Sequence, residues 1–199
     1  MPSDNLPAVI LAGGHSRRMG VPDKCLLKFG SESVLSRIIA TLKPQVGEIL
    51  INSNSDPERF KDFGLPVRAD VLPGRLGPLA GVLTAMIWAE EHGHSHVVTV
   101  PGDVPFLPDD LICRMTAAAQ FRRPVVLASG GRVHPTIGLW PVGLAERLDQ
   151  TINSGVSRML TWCRLVGAVE LMYPPENTDH FLNLNTPADM EYAHTRHRA

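Results

Sequence analysis

Cysteine is scarce in this chain: three residues in 199, Cys25, Cys113 and Cys163, with no two spaced as a CxxC clip. An odd, widely spread set argues against a disulfide framework and points to a reducing compartment, so the cytoplasm is the expected location. Long hydrophobic runs are missing as well. No stretch approaches the ~20 apolar residues of a membrane span. The N-terminal MPSDNLPAVILAGG has a short apolar run that lacks a basic leader and ends in glycines, unlike a signal peptide. Nor is there an excess of charge of one sign: 19 Lys and Arg face 20 Asp and Glu, a net charge of −1. No global field favours nucleic acid or an anionic membrane, although a local basic cluster can still hold one small polyanion. At 44% hydrophobic residues the chain can bury a core without staples, and one domain over 1–199 is expected.

Short apolar runs alternate with amphipathic ones. Ala8–Leu11, Ile49–Ile51, Val97–Val100 and Val125–Ala128 read as buried strands. Val34, Leu35, Ile38, Ile39 and Leu42 make one helical face. Helix starts are expected at Asp56-Pro57-Glu58, at Pro78, at Pro108-Asp109-Asp110, and at Thr186-Pro187-Ala188-Asp189 with a capping box. The alternation predicts an α/β fold: a Rossmann-like three-layer domain, its central sheet mostly parallel, helices on both faces. Residues 130–140 look like turn-connected strands, a small antiparallel element. Ligands of such sheets bind beyond the carboxyl ends of the strands.

The familiar catalytic loops are absent. There is no GxGxxG, no GxSxG, and five residues after Gly13 stands Arg18, which breaks a Walker A pattern. The first strand instead runs into Leu11-Ala12-Gly13-Gly14-His15-Ser16-Arg17-Arg18-Met19-Gly20, then Val21-Pro22-Asp23-Lys24. Glycine-rich turns let backbone N–H groups converge on an anion. Arg17, Arg18 and Lys24 add cations suited to phosphate oxygens. The expectation is a loop that holds the phosphates of a nucleotide. Past the strand Val97–Val100 comes Pro101-Gly102-Asp103, which places a carboxylate over the same crevice. There it can hold Mg²⁺, an ion that takes oxygen ligands and keeps phosphates and waters in its shell. Asp109 and Asp110 fall in the first turn of a helix and are read as structural.

Together these segments resemble the molybdenum cofactor guanylyltransferase family, within the nucleotidyltransferases of glycosyltransferase-A type. The carrying motifs are LAGGHSRRMG…DK at 11–24, ILINSN at 49–54, PVRAD at 66–70, GPLAG at 77–81, VPGDVPFLP at 100–108, HPTIGLW at 134–140 and NLNTPADM at 183–190. They run in family order over nearly the whole chain. The resemblance implies a Mg²⁺-dependent transfer of GMP from GTP to molybdopterin, giving the guanine dinucleotide and pyrophosphate, with no protein nucleophile. It also implies contact with cofactor-insertion proteins as partners, and neither nucleic acid nor membrane. By the same resemblance Leu11, Ala12 and Gly13 contact the nucleotide through backbone. Lys24 and Arg18 neutralise phosphate charge, and Asp103 carries the magnesium. Asn52, Asp70, Gly77 and Gly81 serve the GTP side; Arg158, Asn183 and Asn185 serve the molybdopterin side.

Two positions depart from the family pattern: Val21-Pro22 follows Gly20 where a further glycine is usual, and Gly102 stands where Cys is common. A CTP-dependent relative acting on molybdopterin or another phosphate-bearing acceptor is the alternative enzyme, and a non-catalytic nucleotide or cofactor binder the alternative of another class. His92, His94 and His96 form an HxHxH, but they lie between a helix end and a strand and are read as loop residues rather than a zinc site. Cys25 sits beside Lys24, which lowers a thiol pKa where it can act on it; the residue is read as packing.

Overall fold

The computed structural model describes residues 6–13, 23–74, 77–119, 123–174 and 180–196. The apolar runs become strands because both faces of each are covered. In β1 (Pro7–Leu11), Ala8 and Ile10 pack into one hydrophobic cluster and Val9 into another on the opposite side of the sheet. The same alternation holds in β4 (Glu48–Asn52) and β6 (His96–Pro101), where Val98 and Val100 face one way and Val97 the other. A strand buried on both faces reads as an unbroken apolar run.

The main sheet has seven strands in the order β5-β4-β1-β6-β8-β7-β9, where β5 is Val67–Arg68, β7 is Val125–Ser129, β8 is Arg132–Pro141 and β9 is Val169–Tyr173. Only β8 runs antiparallel to its neighbours, and β2 (Lys28–Phe29) and β3 (Glu32–Ser33) form a separate antiparallel pair. Helices α1 (Val34–Leu42) and α3 (Leu111–Ala119) lie over one face; α2 (Pro78–Glu91), α4 (Ala145–Asn153) and α5 (Met159–Leu165) lie over the other. This is the expected three-layer α/β arrangement. From β1 the chain passes through α1 over one face to β4, and from β5 it returns through α2 over the other face to β6 on the far side of β1, so the winding reverses between β1 and β6. That reversal opens a crevice at the carboxyl ends of those two strands.

The expected helix starts stand close to their places. Pro78 is the first residue of α2. Asp56 caps a segment that is a 3-10 helix, Pro57–Phe63, rather than an α-helix. α3 begins at Leu111, with Leu111 N–H donating to Pro108 O. In α6 (Pro187–Arg196) the capping box is complete: Thr186 Oγ1 accepts from Asp189 N–H, and Asp189 Oδ2 accepts from Thr186 N–H at 2.8 Å. The apolar face of α1 is started by Ser33, which accepts from Ser36 N–H at 3.0 Å.

Residues 130–140 form the expected turn-connected antiparallel element: β8 follows β7 across the Gly130-Gly131 turn. β8 is ten residues long and sits inside the sheet between β6 and β7. Its pairing with β7 is disrupted by a register shift at Val126/Leu127. Across the opposite edge, Gly138 leaves room for the Trp140 ring, whose indole N–H donates to Thr99 Oγ1 at 2.9 Å. Strand β9 was not expected, because Glu170 interrupts its apolar pattern.

Candidate functional site

The register places Leu11 beside Asn52 on one side and Pro101 on the other. Three strands therefore end together, and a cleft of about 600 Å³ opens over them. Its floor is Leu11, Ala12 and Gly13 from the end of β1. Asn52 and Asp70 form one wall, Gly77 and Gly81 of α2 another, and Lys24, Gly102 and Asp103 the third. All but Gly102 are residues that the sequence assigned to nucleotide and metal; of that set Arg18 alone is missing, and it lies outside the described residues. So do Gly14, Arg17, the Val21-Pro22 pair and Arg75.

Close backbone packing fixes the junction. Gly102 N–H donates to Leu11 O at 3.0 Å, and a Cβ on Gly102 would lie 3.2 Å from Ala12 Cα and 3.3 Å from Cys25 Cβ. The Cys25 side chain thus fills the space against which a larger residue at 102 would press. Burial, with Asp23 adding to it, pushes the Cys25 thiol up to about 12 rather than down. Lys24 does not activate it. Cys163 is pushed to about 11, again by burial, whereas Cys113 is exposed. Iodoacetamide at about pH 8 is therefore expected to label Cys113 of the folded protein and spare the other two, as read by peptide mass. Labelling of Cys25 at the rate of Cys113 would contradict its packing role.

Asp70 is clamped between two amides. Asn52 Nδ2 donates to Asp70 Oδ1 at 3.0 Å and to Arg68 O at 3.1 Å; Asn54 Nδ2 donates to Asp70 Oδ2 at 2.7 Å, and Asp70 N–H returns a bond to Asn54 Oδ1. Arg68 does not compete for this carboxylate, because its guanidinium is bonded to Glu91. The first turn of α2 borders the cleft through Gly77, Pro78 and Gly81. Gly77 caps it at φ +73°, a backbone region that side chains rarely adopt. Helix N-termini attract anions.

On the other wall the segment Asn183-Leu184-Asn185 holds two of the three candidate catalytic side chains, those of Lys24 and Asp103. Asn183 Nδ2 donates to Asp103 Oδ1 at 3.1 Å, Leu184 N–H donates to Asp103 O at 2.8 Å, and Lys24 Nζ donates to Asn185 Oδ1 at 2.7 Å. Burial pushes the Asp103 carboxyl above its ordinary range, and the Lys24 ammonium and the Asn183 amide pull it back. A carboxylate that is costly to ionise where it stands gains from a cation bound beside it. Among the described residues no three His, Cys, Asp or Glu gather as a metal-binding group. The donor set fits an ion such as Mg²⁺, which needs one or two carboxylates and takes its remaining oxygens from phosphate and water.

Sequence reasoning missed Asp23, Asn54, Ser55 and Thr136. Asp23 is buried and accepts from Ser55 Oγ at 2.7 Å and from Arg59 Nε, anchoring the chain just before Lys24. The polar run Ser53-Asn54-Ser55 after a buried strand was the available signal. Arg158 lines neither this cleft nor the smaller cavity beside it; it is exposed at the start of α5. The three histidines of the HxHxH go separate ways, His92 to Trp88 O, His94 toward Glu48, and His96 to Ser95 Oγ.

Residues 8–167 match the family described as MobA-like NTP transferase domain. A protein of Cereibacter sphaeroides named molybdenum cofactor guanylyltransferase is 44% identical over 185 residues, covering 93% of each chain. One of the same name from Mesorhizobium japonicum is 41% identical over 196 residues, 95% of this chain and 94% of that one. Among solved structures, molybdopterin-guanine dinucleotide biosynthesis protein A of Archaeoglobus fulgidus superposes with a TM-score of 0.75 at 18% identity, over 96% of this chain and 98% of the other.

Proposed function

The chain belongs to the MobA-like NTP transferase family, and on that premise we propose that it transfers GMP from GTP to molybdopterin, forming molybdopterin guanine dinucleotide and releasing pyrophosphate. The observation that carries this reading is the meeting of Lys24 and Asp103 at one end of the cleft, both held by Asn183-Leu184-Asn185. A cation and a carboxylate at the end of a cleft with polar side chains on its walls suit phosphoryl transfer, where positioning and charge neutralisation do most of the work.

An oxygen of the acceptor's phosphate attacks the α-phosphorus of GTP; the bond from that phosphorus to the bridging oxygen breaks, and the electron pair leaves with pyrophosphate. Leu11, Ala12 and Gly13 give the nucleotide a backbone floor. Asn52 and Asp70 present fixed polar atoms to it, and the glycines of α2 let it approach closely. Lys24 and Arg18 neutralise phosphate charge. Asp103 holds Mg²⁺, which when bound supplies positive charge to the attacked phosphate and the leaving group. No side chain acts as nucleophile. The three free cysteines suit the cytoplasm as the compartment, with the whole chain as one catalytic domain.

The test is incubation of the full chain with molybdopterin, Mg²⁺ and each of the four nucleoside triphosphates, with the product identified by mass. GTP is expected to give the guanine dinucleotide with stoichiometric pyrophosphate. A product formed from CTP and not GTP would overturn the base assignment. Pyrophosphate release that ignores the acceptor would overturn the transfer itself.

A further inference from the structure

Next to the cleft lies a second cavity of about 350 Å³, lined by Ser129, Arg132, His134, Phe181, Asn183 and Asn185 among others. Asn183 lines both cavities, so they share a wall at the residue that holds Asp103. The hairpin of β7 and β8 supplies the far side. Arg132 and His134 are two apart on β8 and so point to the same face of the strand. Opposite them in register stand Ser129 and Leu127. Nothing in the fold requires Arg132: it is exposed and makes no ion pair among the described residues. His134 is half-buried, tilted against the Phe181 ring at 5.5 Å, with Nε2 at 3.1 Å from Ser129 Oγ. Burial, and then the Arg132 charge, lower its pKa, so near neutral pH it is an uncharged imidazole that offers one donor and one acceptor. Asp189 also lines the cavity, but its Oδ2 is already taken by the N–H groups of Asn185 and Thr186.

A cation, a neutral imidazole, a hydroxyl and two carboxamides around a small cavity suit an anionic ligand with a flat, nitrogen-rich ring. The cavity's volume is at the lower end of the small-molecule range, enough for one such body and not for a second nucleotide beside it. The family resemblance already puts Asn183 and Asn185 on the acceptor side; we propose that Arg132, with His134 beside it, is the part of this cavity that determines which acceptor is taken. The phosphate of a molecule held there reaches Asp103 and Lys24 past Asn183, while its ring stays against the hairpin. The assignment rests on the transferase reading and names the residues that select the ligand at the acceptor end of its site.

Binding and turnover separate the two claims. Molybdopterin binding to the full-length protein, read by pterin fluorescence without nucleotide, is expected to weaken about tenfold in Arg132→Ala, as for a lost hydrogen bond to a charged group. Arg132→Lys should recover part of that loss, because it keeps the charge but not the fork. His134→Gln should weaken acceptor binding by about threefold or more, and the GTP affinity of all three variants should stay within about twofold of wild type. In turnover, the effect should fall on the acceptor KM and not on that for GTP. Unchanged molybdopterin binding in Arg132→Ala, or a parallel loss of GTP binding, overturns the assignment. A wild-type protein that binds molybdopterin but transfers no GMP overturns the transferase reading alone, and the cavity is still judged by the variants. A wild-type protein that binds no molybdopterin overturns both.

Discussion

Replacing Asp103 with Asn is expected to lower kcat by on the order of a thousandfold while leaving the metal-free protein at least as stable as wild type. The two halves of this expectation have one cause. The Asp103 carboxyl is held above its ordinary pKa because it is buried at the end of β6, and neither Lys24 nor Asn183 fully offsets that burial. Linkage sets the sign. Between the ordinary carboxylate pKa and the raised one, the folded state binds more protons than the unfolded chain, so stability falls as pH rises through that window. Above the window the charge is a standing cost, and at acid pH the cost is gone. Asn removes the charge and keeps an oxygen that can accept from Asn183, so the melting temperature near neutral pH should equal or exceed that of wild type, and its dependence on pH through the acid range should flatten.

Activity moves the other way because the same charge is what a magnesium ion would need. A residue placed for function at some expense of stability is a common arrangement at active sites. Calorimetry of the metal-free variant and steady-state kinetics at saturating Mg²⁺ and GTP check the two halves separately. A variant within about tenfold of wild-type kcat would remove Asp103 from the metal site. A large drop in melting temperature would mean that the carboxylate is structural, with its bond to Asn183 outweighing its burial.

Much of this arrangement was legible from residue order. The apolar runs at Ala8–Leu11 and Val97–Val100 are short, β-branched and bounded by glycine and proline, and a chain that buries both faces of a strand leaves that mark. Asp103 could be placed over the crevice because the chain emerges from the carboxyl end of a buried strand and must turn there. What stayed hidden was long-range and polar. Nothing local in Asn183-Leu184-Asn185 says that it folds back over Lys24 and Asp103, 161 and 80 residues away. Nor does Asn54 announce that it shares Asp70 with Asn52. The full length of β8 and its place inside the sheet were obscured because Pro135 and Gly138 break the pattern of a ten-residue strand, although both are tolerated, the glycine since the Trp140 ring needs its space. Arg158 was assigned to the acceptor by resemblance, yet it stands exposed at the start of α5, while Arg132, which carried no such assignment, lines the second cavity.

Gly81→Ala is expected to raise the KM for GTP about tenfold or more while lowering stability by only about 1 kcal/mol. Two effects oppose each other. In the interior of a helix, alanine is favoured over glycine by roughly 1 kcal/mol. Against this, a Cβ at Gly81 would stand 2.6 Å from Asn52 Oδ1 and 2.9 Å from Leu11 Cδ2. The leucine methyl can turn aside. The Asn52 amide cannot do so freely: it is 2% exposed, and its Nδ2 is bonded to both Arg68 O and Asp70 Oδ1. Relief of the clash therefore breaks at least one of those bonds or pushes α2 outward, at an overpacking cost of about 1–3 kcal/mol that the helix propensity only partly offsets. The functional loss is larger because the displaced groups are the ones that line the cleft: once Asn52 swings, Asp70 keeps only its bonds to Asn54, and the wall facing the nucleotide loses its fixed geometry. Gly143→Ala is the control, since a Cβ there meets nothing within 4 Å and the residue is away from the cleft. If Gly81→Ala binds GTP as the control does, the close contact of α2 with Asn52 is not what shapes the nucleotide site. If GTP binding and stability fall together and in proportion, the glycine serves packing alone.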